Sequence, residues 1–289
     1  MFFKPMLHLT NRKLRVFVGL FLAGMFCIQC TSSEAGKDSQ FATAVSGKMV
    51  GKNSAAVLAK IESMAKSDHV ALLQFCMDHY RDTYHDYTCL FQKQERMGGI
   101  LGQVQEIDVK FMESPFSVSM HWIKNQPSMA DRVLYVEGKW NNQMVVRPSG
   151  LLAFVGPQFR PPSGPEAMKV TLKPVNAFGF ERSLRSLIDV YSLAQKNGDL
   201  RQEFGGYAKV DGRNALVMVR YLPCKPEYPG WKTLTYIDLE YLEPIMLETY
   251  GWDDQHLLTC RYVSRNVKFN VGLTKEDFLP QANEMIEPR

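Results

Sequence analysis

Five side chains able to ligate a metal, Asp78, His79, Asp82, His85 and Asp86, fall within nine residues. Two histidines clasp a metal from one helix face when they stand four apart. These stand six apart, and the run straddles a change from helical to strand-like spacing. It reads as a solvated helix end, and no metal site is expected. Motifs that mark catalysis are missing: the chain has no GxSxG elbow, no HExxH and no GxGxxG. Gly47, Gly51 and Lys52 imitate a phosphate loop, but the glycines are one residue too close and Asn53 stands where a Ser or Thr would hold magnesium. Ser149-Gly150 and Ser163-Gly164 lie in turn contexts. His121 stands alone on the polar side of a strand, and His256 lies beside a turn. No catalytic residue and no cofactor are expected. A hydrolase reading requires His121 or His85 to meet an acid within hydrogen-bond reach in a cleft.

What the chain does supply is bulky apolar surface in alternation. In the stretch Tyr84–Ile123, Phe116, Val118, Met120 and Trp122 point one way, and Ser117, Ser119 and His121 point the other. That is a strand with one apolar face. Leu134 and Val136 alternate against Val133 and Tyr135, and Leu216 and Met218 continue the supply further on. Methionines suit a deformable lining because thioethers tolerate several packings. The candidate ligand lining is therefore Phe116, Val118, Met120, Trp122, Leu134, Val136, Leu216 and Met218. The alternative is that these side chains fill a closed core.

The chain begins with Lys4, Arg12, Lys13 and Arg15 ahead of a thirteen-residue apolar run, Val16 to Ile28. A basic end, a short apolar stretch and small residues after it make a secretory signal; the run is too short for the roughly 20 residues of a membrane span. Ser33-Glu34-Ala35 places cleavage after Ala35, giving a signal peptide over 1–35. Cys27 and Cys30 raise the alternative of a lipid anchor, but Phe26 and Gln29 precede them where a small residue is normal. Loss of residues 1–35 takes the formal charge from +4 to +1. No dense basic stripe remains, so nucleic acid is not an expected partner. Cys76, Cys89, Cys224 and Cys260 stay in the exported chain with three pairings open to them. Their spacing shows no CxxC or Cys/His pattern, so zinc is not expected, and they read as disulfides or as inert buried thiols.

Elements must position this apolar supply. Residues 36–52 are small and polar, a flexible lead-in. From Asn53 the spacing turns helical, with Asn53 or Ser54 as N-cap, and it continues past Ser67-Asp68 as one bent helix or two short ones. Strand-like runs follow around the Met97-Gly98-Gly99 corner, and DRVLYVE (131–137) pairs with QMVVR (143–147). Leu151–Val155 reads as a short strand or buried loop. Four prolines or proline pairs break residues 156–174 into a long irregular segment, a candidate lid. A helix is expected over Ser183–Lys196, stopped by Asn197-Gly198. Five runs then alternate with short turns, including Asp211-Gly212 and Asp253-Asp254, and Asn266–Leu273 reads as a further edge strand. Thr274 caps a short turn before Pro280 and a tail.

Short connections demand antiparallel neighbours. The expected fold is mainly β within an α+β class: about ten strands in a strongly curved, unclosed antiparallel barrel, helices packed on its concave face. One domain spans 53–280, and 281–289 is a C-terminal tail.

The runs Asp86-Tyr87-Thr88-Cys89, Lys93-Gln94-Glu95-Arg96 and Pro115-Phe116-Ser117-Val118 resemble domain-of-unknown-function family 1571, found largely in planctomycetes. Leu134-Tyr135-Val136-Glu137-Gly138, Tyr236-Ile237-Asp238 and Asn270-Val271-Gly272-Leu273-Thr274 with Asp277-Phe278 extend the likeness. Cys260 departs from the polar residue expected before its strand, which leaves the pairing of Cys89 open. The family is similar in layout to periplasmic lipoprotein-sorting carriers of the LolA and LolB type. That resemblance implies an exported, non-enzymatic, monomeric protein of the periplasm or cell envelope. It implies an apolar cavity for the acyl chain of a lipid or lipoprotein, with peripheral membrane contact. A structural or interaction module of the envelope with no ligand is the alternative.

Overall fold

Asp68 decides the first element boundary. In the computed structural model its backbone is extended (φ −151°, ψ 93°), which ends one helix, and its carboxylate accepts from the Ala71 N–H at 2.9 Å, which starts the next. The long helical period is thus two helices, α1 (Ala55–Ser67) and α2 (His69–Thr83). The structure describes residues 42–45, 53–127 and 130–286. The signal peptide expected over 1–35, Cys27 and Cys30, and the Gly47–Lys52 run lie outside these residues.

The strands in chain order are β1 (Ala42–Val45), β2 (Asp86–Met97), β3 (Ile100–Leu101), β4 (Gln105–Met112), β5 (Ser117–Lys124), β6 (Ala130–Val136), β7 (Met144–Pro148) and β8 (Gln158–Arg160). After them come β9 (Arg201–Val210), β10 (Arg213–Tyr221), β11 (Lys232–Asp238), β12 (Pro244–Tyr250) and β13 (Leu258–Phe269). They form one antiparallel sheet in the order β1-β9-β10-β11-β12-β13-β2-β4-β5-β6-β7-β8, with β3 added beside β2. The path ends at β1 and β8, so the barrel is not closed. A one-turn helix, α3 (Pro165–Met168), and a long one, α4 (Phe180–Lys196), are the remaining α-helices of the described residues.

Several boundaries differ from expectation for local reasons. Ala42–Val45 lies in the segment read as a flexible lead-in, yet it pairs with β9 at the sheet edge. Four residues are too few for alternation to register; the partner strand supplies the order. Asn266–Leu273 is not a separate edge strand. β13 runs on to Phe269 between β12 and β2, through a bulge where Asn266 takes a left-handed φ of 50°. Asp211-Gly212 is a two-residue turn with both φ positive, whereas Asp253 and Asp254 sit in a longer loop between β12 and β13. Leu151–Val155 is a 3-10 turn rather than a strand or buried loop, and Leu151 and Phe154 are 93% and 85% exposed. Residues 281–286 are not a free tail. Met285 is buried with Phe278, Leu134 and Val145, and Asn283 accepts from the Ser119 hydroxyl at 2.6 Å.

That last contact explains the two faces of β5. Ser117 and Ser119, expected on a wet side, are both buried; Asn283 of the C-terminal turns covers Ser119, and the Ser117 hydroxyl donates to the Pro115 carbonyl at 2.8 Å. The inner face carries the main core, where Leu58, Ile61, Leu72, Leu73, Leu184 and Tyr191 of the helices meet Leu216, Met218 and Ile237 of the sheet.

Candidate functional site

The helices do not cover the whole inner face. Beyond the first turns of α4, the proline-rich segment and the residues after it, 161–179, cross the sheet as a strap. Between strap and sheet lies a cleft of about 1110 Å³. Its sheet wall includes Phe91 of β2, Ile107 of β4, Met120 and Trp122 of β5, Val133 of β6 and Met144 of β7. Pro161, Pro165, Ala167, Val170, Pro174 and Phe178 contribute from the strap. Ligand pockets usually measure about 300–1,000 Å³, so this cleft is slightly larger than most.

Sequence chemistry shapes the strap. Prolines forbid ladder pairing beyond β8, leaving the chain free to cross the sheet. Phe178 fastens its far end, with its ring 5.1 Å from that of Phe91 and 6.0 Å from that of Phe111. Gly179 then turns into α4 with φ of 109°, and a Cβ there would meet the Phe111 ring at 2.7 Å. Only glycine meets both demands.

Among the eight candidate lining residues, Met120 and Trp122 face the cleft. Phe116, Val118, Leu216 and Met218 are buried in the main core. Leu134 and Val136 are on the other side of the sheet, packed with Phe278 and Met285. The β5–β6 register places Val133 opposite Met120 and Leu134 opposite Ser119. Both faces of β6 are apolar, so alternation alone cannot say which one turns inward; the register chooses Val133.

One cluster in the cleft is polar. Lys93 and Glu95 of β2 are nearly buried, with Lys93 Nζ 3.2 Å from Glu95 Oε2. Lys93 also donates to Thr171 Oγ1 of the strap at 3.0 Å, and the Tyr262 hydroxyl donates to Glu95 Oε1 at 2.6 Å. Burial pushes the Lys93 ammonium below the usual lysine range, and Glu95 opposes the shift. The sequence reading missed this cluster. Its signal was present, since Tyr87, Cys89, Phe91, Lys93 and Glu95 are alternate residues of one strand.

The residues a hydrolase would need are placed elsewhere. His121 lies across the ladder from Asp108 and Arg132, on the face of β5 opposite the cleft. His85 is exposed at the start of β2. His79, from the acidic run, is half-buried and faces buried Glu243, and Asp86 accepts from the Val271 and Gly272 N–H groups. Among the described residues, no three His, Cys, Asp or Glu side chains converge as a metal site would require. Cys76, Cys89 and Cys260 are buried free thiols, and Cys224 is an exposed one. No helix of the described residues is long and apolar enough to cross a membrane.

The chain belongs to the family described as "Protein of unknown function (DUF1571)", whose pattern matches residues 84–285. No protein of curated function matches it significantly. Solved structures similar to it include a DUF1329 family protein from Desulfovibrio piger, at 12% identity and a TM-score of 0.37 over 73% of this chain and 97% of that one. Lipoprotein LppX of Mycobacterium tuberculosis is 11% identical, with a TM-score of 0.40 over 71% of this chain and 96% of its own. A LolA superfamily protein from Nitrosomonas europaea is 8% identical, with a TM-score of 0.30 over 72% and 97% of the two chains. The likeness to each is loose.

Proposed function

We propose that this member of the family is an exported binding protein of the periplasm or cell envelope. It holds the acyl chain of a lipid or lipoprotein in the cleft beneath the 161–179 strap, and it does so without catalysis. The observation that carries the reading is the cleft itself: about 1110 Å³ of largely apolar space on the inner face of an unclosed sheet. Burying acyl chain contributes about 0.8 kcal/mol per CH₂, so ten methylenes contribute about 8 kcal/mol towards the cost of association without a specific polar contact. The alternative of an envelope module with a filled core is disfavoured by the same cleft.

The rim supports delivery from a membrane. Leu152 lines the cleft, while Leu151 and Phe154 of the same turn project into solvent. Exposed bulky side chains beside an opening suit peripheral contact with lipid. The protein acts as a monomer in this reading.

Native mass spectrometry of protein purified from a bacterial envelope tests the proposal. Co-purified lipid, or uptake of a fluorescent acyl probe by delipidated protein, is expected. Repeated recovery of empty protein that takes up no probe overturns it.

A further inference from the structure

Charge is distributed unevenly around the cleft. Its charged lining comprises Lys93, Arg160, Lys169 and Lys173 against Glu95 and Glu166. Two pairs cancel: Arg160 Nε lies 3.0 Å from Glu166 Oε2, and Lys93 Nζ lies 3.2 Å from Glu95 Oε2. Lys169 and Lys173 are exposed and make no ion pair with a described residue. Two surplus positive charges therefore sit on the strap that roofs an otherwise apolar space.

The polar cluster fixes where one of them stands. Lys93 donates to Thr171, whose hydroxyl is also 3.3 Å from Glu95 Oε1, so the strap is tied to β2 two residues before Lys173. The Lys173 ammonium lies 5.6 Å from the centre of the Tyr262 ring, whose hydroxyl donates to Glu95. With Glu95 neutralised by Lys93 and held by two hydroxyls, little negative charge is left to repel an incoming anion. A neutral amphiphile gains no ion pairing from the two lysines. An anionic one gains charge-assisted contacts with two ammonium groups at the solvent edge of the cleft, contacts that salt screens.

We infer that the cleft selects amphiphiles with an anionic head, a carboxylate or a phosphate, held at Lys173 and Lys169 while the tail lies against Trp122 and Ile107. The inference rests on the acyl-binding function proposed above and names the chemical class of its ligand.

Isothermal titration calorimetry with chain-matched decanoate and decanol tests it, with decanoyl lysophosphatidate and decanoyl lysophosphatidylcholine as second arms. Decanoate is expected to bind about tenfold tighter than decanol at low salt, with the gap narrowing in 0.5 M NaCl. In K169Q/K173Q, decanoate falls to the affinity of decanol and decanol is unchanged; both positions are exposed, so the fold is retained. Preference for lysophosphatidate over the choline lipid supports an anionic lipid as the source of the head, and preference for decanoate alone supports a free fatty acid. Equal binding of acid and alcohol, or a double variant that leaves decanoate binding intact, overturns the inference while leaving the acyl-binding proposal standing. Failure of all four ligands to bind overturns that proposal, and this inference with it.

Discussion

Buried Glu243 and half-buried His79 face each other across 3.9 Å, and neither the His79 Nδ1 nor either Glu243 carboxylate oxygen has a hydrogen-bond partner. Burial pushes the Glu243 carboxyl well above the usual carboxylate range, and nearby Asp238 adds to the shift. Burial also lowers the His79 imidazole. Two facing groups that would attract if charged are thus both driven towards neutrality, because a polar group without hydrogen bonds in the interior is less costly uncharged.

A pH dependence of stability follows from Glu243. Because its folded pKa is raised, its contribution is fully present below the unfolded value, about 4.3. It is lost as pH rises through the folded value. Glu243→Gln removes that loss. Urea unfolding is expected to show wild type weakening from pH 5 to pH 8 by about 1–3 kcal/mol more than the variant does. His79 has the opposite sign, its contribution being present above about 6.5 and lost below, so both proteins weaken together on the acid side. Parallel curves between pH 5 and pH 8 would show that Glu243 ionises in the fold as readily as in the unfolded chain.

The turn from the strap into α4 leaves no room for a side chain at Gly179. Gly179→Ala adds a Cβ into the Phe111 ring and strains a positive φ. The expected cost is about 2–4 kcal/mol, measured by urea denaturation. A loss below 0.5 kcal/mol would mean that strap and ring separate freely.

Neighbouring residues of β6 are expected to behave differently. Val133→Trp fills cleft space and lowers acyl-probe uptake by about tenfold, with stability nearly kept. Leu134→Ala, on the opposite face and fully buried, leaves uptake intact but costs about 2–5 kcal/mol. Probe titration and thermal unfolding of the two variants separate the faces; loss of uptake only in the Leu134 variant would place the ligand on the other side of the sheet.

The exposed turn offers a surface test. L151D/F154D is expected to keep thermal stability within about 0.5 kcal/mol, since both side chains are in solvent. Co-sedimentation with vesicles containing anionic lipid should fall several-fold, and uptake of soluble decanoate should not change. Unaltered sedimentation would remove this turn from any membrane contact.

The sequence determined the kind of fold. Alternation through Phe116–Trp122, the Gly98-Gly99 and Asp211-Gly212 turns and the short connections leave antiparallel pairing as the only economical topology, and Asp68 and Asn197-Gly198 carry their own helix-boundary chemistry. These are local rules, satisfied within a few residues. Which apolar face turns inward was not local. Phe116, Leu134 and Leu216 all read as lining, and the register of β5 with β6 and the packing of α1, α2 and the C-terminal turns sent each elsewhere. The cleft exists because prolines keep residues 161–179 out of the sheet while Phe178 and Thr171 fasten them above it, the latter through a Lys93–Glu95 pair 78 and 76 residues away. Contacts at that separation follow from how the sheet curves, and curvature is a property of all the strands together.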